Sequence, residues 1–180
     1  KEYRDGLVVY WMQRDQRTQD NFALLYAQEK ALEYKVPLLV VFNFVPLYNG
    51  ASHAHYLFML QGLQVVEKNL RAKNVPLIVT EGKPEETITA LIEKEKVGLL
   101  VTDFNPLRLQ ESWKSKVAKK IKIPFHEVDA HNIIPCWIAS DKEEFAAHTF
   151  RPKVRLHYRT FAVLPKPIKA HPYGFLKKYT

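Results

Sequence analysis

Short apolar runs alternate with longer stretches of helical periodicity along most of this chain. Residues 6–11, 37–43, 76–80, 98–102 and 123–128 are short, mostly apolar runs, the pattern of strands in a parallel sheet. Between them, residues 20–34, 53–73, 84–94 and 106–121 repeat apolar positions every three or four residues, as amphipathic helices do. The second of these is the clearest: Tyr56, Met59, Leu60, Leu63, Val66 and Leu70 share one face. Pro84 and Pro106 suit first-turn positions, where a missing amide proton is harmless, and Asn105 is placed to cap the helix that follows. This alternation predicts an α/β fold: a doubly wound, mostly parallel five-stranded Rossmann-like sheet with helices on both faces. Right-handed crossovers narrow the strand order to the Rossmann or the flavodoxin arrangement.

After Asp129 the pattern changes. Prolines at 135, 152, 165, 167 and 172 interrupt any long periodicity, so 139–156 is read as one or two short helices followed by an irregular arm. The expected division is a domain over 1–135 and a linker over 136–180. Charge marks nearly the same boundary. All nineteen acidic residues lie at or before Glu144, whereas 145–180 carries eight basic residues and no acidic one. The body is therefore neutral and the tail supplies the whole net charge of +8. Such a tail suits nucleic acid, a membrane surface, an acidic neighbouring domain, or simply a solvated linker.

Composition narrows the setting. No run of eighteen apolar residues is present to cross a membrane, and the first residues lack the apolar stretch of a secretory signal. A lone cysteine, Cys136, forbids an intrachain disulfide and a zinc site built on cysteines; an intracellular, reducing location is expected. Lying between Pro135 and Trp137, it is expected to be buried rather than reactive.

The candidate chemistry gathers at the carboxyl ends of the predicted strands, where ligands of open α/β sheets bind. The first strand runs into Arg14-Asp15-Gln16-Arg17 and then Asp20-Asn21, with no glycine in the turn, so neither a dinucleotide fingerprint nor a phosphate-cradling loop is present. One reading has Asp15 and Asp20 capping the first helix while the arginines pair with them. The other has the arginines holding an anion or docking a second domain. Asp103-Phe104 follows the fourth strand: the carboxylate either accepts a hydrogen bond from a ligand beside the stacking face of Phe104, or merely caps the next helix. Asn43-Phe44 ends the second strand and offers a further wall. Histidines 53, 55, 126, 131, 148, 157 and 171 are scattered, and the His53-x-His55 spacing points the rings apart on a helix. No nucleophile with an attendant base is visible, and Glu143 and Glu144 read as an exposed helix face.

Trp11-Met12-Gln13-Arg14-Asp15-Gln16-Arg17 with Asp20-Asn21 resembles the start of the photolyase/cryptochrome family, in the form found in class II cyclobutane pyrimidine dimer photolyases. Phe58-Met59-Leu60-Gln61-Gly62-Leu63, Asp103-Phe104-Asn105-Pro106-Leu107-Arg108 and Val128-Asp129-Ala130-His131-Asn132 extend the resemblance in order along the chain. The resemblance implies a light-harvesting antenna domain, with 136–180 a basic interdomain linker leading toward a helical domain that holds FAD. It implies a deoxyribodipyrimidine photolyase acting on UV-damaged DNA, with no repair expected from this chain alone. It also implies an antenna chromophore such as 8-hydroxy-5-deazaflavin, with Asp103 and Phe44 at its pocket, Phe104 beside it, and Met12 and Gln13 at positions that vary among classes. The three tryptophans, Trp11, Trp113 and Trp137, are then core or interface residues rather than an electron relay. The alternative is a free-standing α/β protein that binds a nucleotide or flavin-like molecule.

Overall fold

The computed structural model describes residues 3–174. Five strands, β1 (Leu7–Met12), β2 (Leu38–Phe44), β3 (Leu77–Glu81), β4 (Val97–Asp103) and β5 (Phe125–Val128), form one sheet in the order β3-β2-β1-β4-β5. All four pairings are parallel, and the order is the Rossmann one. Tyr10 at the centre of β1 lies opposite Val40 on one side and Val101 on the other. The chain moves outward from β1 to β3, then crosses to β4 on the far side of β1. The direction of winding therefore reverses between β1 and β4, which opens a crevice at their carboxyl ends.

Side chains of β1 alternate between two cores because successive residues point to opposite faces. Val8, Tyr10 and Met12 pack with Ala23, Leu24, Ala27 and Ala31 of α1 (Phe22–Tyr34) and with Leu63, Val66 and Leu70 of α2 (His53–Arg71). Val9 and Trp11 pack with Ile88, Leu91 and Ile92 of α3 (Pro84–Glu95) and Val117 of α4 (Arg108–Lys120). Pro84 opens α3 as expected. Pro106 does not open α4, which begins at Arg108; Asn105 Oδ1 accepts from Leu107 N at 3.2 Å and shapes the approach to the helix instead of capping it.

Neither Asp15 nor Asp20 caps α1. Asn21 does, its Oδ1 accepting from Leu24 N at 2.9 Å while its amide donates to the Tyr10 hydroxyl and to the carbonyls of Asp15 and Arg17. An amide both accepts and donates, so Asn21 can join loop and helix where a carboxylate cannot.

The tail departs furthest from expectation. After a single turn, α5 (Cys136–Ala139), it forms one helix of 15 residues, α6 (Ala147–Phe161), with Pro152 inside it. The proline removes one amide donor but does not end the helix. Phe150, Val154, His157 and Phe161 keep a helical repeat that the proline count obscured. Glu144 lies before this helix rather than on it, with its carboxyl drawn down to about 2 by the Lys153 ammonium 2.6 Å away. Cys136 is exposed, not buried, because the apolar run around it forms a surface turn. The described part of the arm beyond α6, residues 162–174, has no regular structure, but it is fastened. Ile168 enters the first core, and the Gln28 amide makes both a donor and an acceptor bond to the Lys169 backbone, at 2.8 and 2.9 Å. His171 donates from its backbone to Lys73 O at 2.8 Å and from Nε2 to Val36 O at 2.9 Å.

Candidate ligand-binding site

A cleft of about 180 Å³ lies over the carboxyl ends of β1 and β2. Trp11, Met12 and Gln13 form its back, and Phe42, Asn43 and Phe44 one side. The first turns of α2 add Tyr56 and Met59, the β2–α2 connection adds Tyr48, and α4 adds Gln110 and Trp113. None of the lining side chains is charged. Phe44 and Tyr56 meet at 5.1 Å between ring centroids, and Tyr48 and Trp113 at 6.1 Å, so two tilted aromatic pairs form the walls. Such a site suits a flat, neutral ring. Among the described residues, its lining has no cation for a phosphate and no carboxylate or imidazole base.

Polar groups hold these walls in place. The Tyr56 hydroxyl donates to Val45 O at 3.2 Å and accepts from Tyr48 N at 2.7 Å, which pins the connection over the cleft. Asn43 donates to Gly82 O at 2.8 Å and accepts from the hydroxyls of Thr80 and Thr87, tying the ends of β2, β3 and α3 together. Gln13 Nε2 donates to Thr102 Oγ1, which donates in turn to Trp11 O, each at 2.8 Å. That chain fixes which end of the Gln13 amide is which. Its Oε1, like that of Gln110, is enclosed without a hydrogen-bond partner among the described residues.

Beneath the cleft the β1–α1 loop is built around Asp103. This wholly buried carboxylate accepts from Gln13 N at 2.9 Å, Arg14 N at 2.7 Å and Asp15 N at 2.6 Å. Burial pushes its carboxyl up to about 6, although the loop amides pull the other way. Arg17 pairs with the buried carboxylate of Asp15 and also donates to Asp20 O and, at 3.0 Å, to Ala130 O. The loop thereby binds to the turn after β5, where Asp129 accepts from the backbone amides of His131, Asn132 and Cys136.

Of the residues singled out from sequence, Met12, Gln13 and Phe44 line the cleft, whereas Asp103 and Phe104 do not. Asp103 neither caps the following helix nor faces the cleft, because three backbone donors of the neighbouring loop occupy it. Phe104 lies edge-on to Trp137 at 5.5 Å, with the Lys114 ammonium over its face. Tyr48, Tyr56, Met59, Gln110 and Trp113 were not anticipated as site residues. Tyr56 and Met59 were legible only as the apolar face of a helix, which gave no sign that its first turns line the cleft.

Residues 8–172 match the family model described as DNA photolyase. The chain is 43% identical over 167 residues to the deoxyribodipyrimidine photo-lyase of Potorous tridactylus, covering 92% of this chain and 31% of that protein. It is 38% identical over 162 residues to that of Methanothermobacter thermautotrophicus, covering 90% and 36% respectively. The chain thus spans about a third of the length of these curated relatives. A cryptochrome from Synechocystis shares the fold with a TM-score of 0.67 at 16% identity, over 95% of this chain and 37% of its own. The family match runs from the second residue of β1 to the fastened arm, and the chain belongs to the DNA photolyase family.

Proposed function

We propose that this chain is the N-terminal light-harvesting part of a class II deoxyribodipyrimidine photolyase. Its cleft would hold an antenna chromophore of the 8-hydroxy-5-deazaflavin type. The uncharged, aromatic-walled cleft over the carboxyl ends of β1 and β2 carries this reading; the Trp11–Arg17 sequence supports the class. When bound, such a chromophore supplies absorption of blue light. The chain's own residues hold it: Phe44, Tyr48 and Trp113 exclude water from the ring, and Gln13 and Gln110 offer hydrogen bonds at its edge. With no cation in the lining, any phosphate-bearing tail stays outside. Asp103 acts at one remove, as a positioning residue that sets the loop from which Gln13 projects, and Phe104 belongs to the packing around Trp137.

In this proposal 1–135 is the antenna domain and 136–180 leads to a helical domain that binds FAD and damaged DNA. Repair belongs to that second domain. The substrate, with the lone cysteine, supports an intracellular setting. The test is titration of the purified chain with 8-hydroxy-5-deazaflavin, following its absorption and the quenching of tryptophan fluorescence. Saturable binding with quenching is expected, and no binding at tens of micromolar overturns the chromophore assignment. Irradiation of a dimer-containing oligonucleotide with this chain and reduced FAD should give no repair; measurable repair contradicts the division of labour.

A further inference from the structure

The cleft over β1 and β2 is tight for a fused ring. Its volume of about 180 Å³ falls short of the roughly 300 Å³ at which pockets for drug-sized ligands begin. Tyr48 closes one side of it. This residue reaches from the β2–α2 connection across to α4, where its hydroxyl accepts from Gln110 Nε2 at 2.6 Å and its ring tilts against Trp113. The short turn that carries it, Tyr48–Gly50, has a special backbone position at each end. Leu47, 90% exposed, holds a φ of 56°, a left-handed conformation that leucine disfavours. Gly50 holds a φ of 70° with open space where a side chain would stand. Tyr48 is thus mounted on a strap with a hinge on either side.

What the strap holds is an amide with one half idle. Gln110 is 6% exposed and spends its Nε2 on Tyr48, while its Oε1 is enclosed without a partner among the described residues. A primary amide sets a donor beside an acceptor, the complement of a ring lactam, where N–H stands beside C=O. We propose that Gln110 reads the ligand by pairing with such a lactam edge, and that the Tyr48 hydroxyl is the latch this edge displaces as the ring enters. The inference rests on the chromophore reading above and adds a chemical requirement to it: a flat heterocycle whose ring lactam or imide nitrogen keeps its proton. The exchange replaces the Nε2 bond to Tyr48 and gives Oε1 the donor it lacks. A ring without that edge would leave both atoms buried and unpaired, which is costly. The other amides of the lining are committed elsewhere. Gln13 Nε2 is held by Thr102 and Gln16 Nε2 by Gln13 O, while Asn43 is tied to Gly82, Thr80 and Thr87.

The test mixes the full-length protein with 8-hydroxy-5-deazaflavin or with its N3-methyl derivative, in which the imide proton is replaced. Binding is followed through the ring's absorption, at equilibrium and by stopped flow. The parent should hold the unmethylated ring roughly tenfold tighter or more, since a site built around a hydrogen bond rejects the analogue that lacks it. Gln110→Leu should lose about that factor for the unmethylated ring and bind the two forms alike. Tyr48→Phe removes only the latching hydroxyl. It should keep the preference between the two forms while its association rate rises by roughly threefold or more, because entry no longer waits on the strap. Equal affinity of the parent for both forms overturns the role of Gln110, a result that depends on no variant folding. An association rate unchanged in Tyr48→Phe overturns the latch. If neither form binds the parent, the chromophore reading itself fails and this inference falls with it, whereas tight binding without discrimination sinks the inference alone.

Discussion

Asp103 accepts three backbone N–H bonds, and those amides belong to a loop some ninety residues away in sequence. Asn in its place supplies one acceptor oxygen and turns an NH2 toward a backbone donor. Asp103→Asn should therefore destabilise the fold by about 1–3 kcal/mol, read as a lower urea midpoint with an unchanged slope. An unaltered midpoint would show that the loop holds itself. At the cleft, Trp113→Leu removes half of an aromatic pair and should weaken binding of a flavin-like ring by roughly five- to tenfold, about 1 kcal/mol, in a fluorescence titration. Residue chemistry was only partly legible in sequence. An aspartate at the end of β4 stood out, but its partners are backbone amides, which no residue type marks. The enclosed Oε1 of Gln13 was invisible for a related reason: only the Thr102–Trp11 relay fixes the amide's orientation.

At the level of elements, the central strands β1, β2 and β4 were the most legible because burial on both faces leaves nearly continuous apolar runs, whereas the edge strands β3 and β5 are only partly buried. α6 was the least legible. Its apolar side is incomplete, it meets no core, and proline at 152 argues against a helix. Close approach of backbones also escapes sequence reading: a methyl group on Gly98 would lie 1.9 Å from the Arg4 carbonyl oxygen. Gly98→Ala should cost about 1–3 kcal/mol in thermal or denaturant unfolding, since the N-terminal segment must move to admit it. The arm introduces a pH dependence. Burial lowers the pKa of His171 below its ordinary 6.5, while its bond to Val36 opposes that shift. The folded state thus prefers neutral imidazole. The arm's contribution should be complete above about pH 6.5 and fade as pH falls through the lowered folded value. Amide exchange of residues 168–171 at pH 7.5 and 5.5 checks this; protection that is equal at both, or greater at 5.5, contradicts it.

Across the whole molecule, a neutral α/β body and a basic tail were evident from charge alone, and the body's strand order followed from winding rules once the flavodoxin alternative was set aside by the β3-β2-β1-β4-β5 pairing. What charge did not indicate was the path of the tail, which turns back to the amino ends of the strands. His171 is fastened there beside Val36 and Lys73, and Tyr3 lies at the same pole, stacked on Tyr34 at 3.8 Å. The cleft occupies the other pole, a strand length of about 20 Å away. The fastening point and the cleft are thereby placed at opposite ends of one sheet. The loops around the cleft can therefore change in length or in side chains without touching the contacts that hold the arm. Such changes leave the point where the tail is fastened where it was.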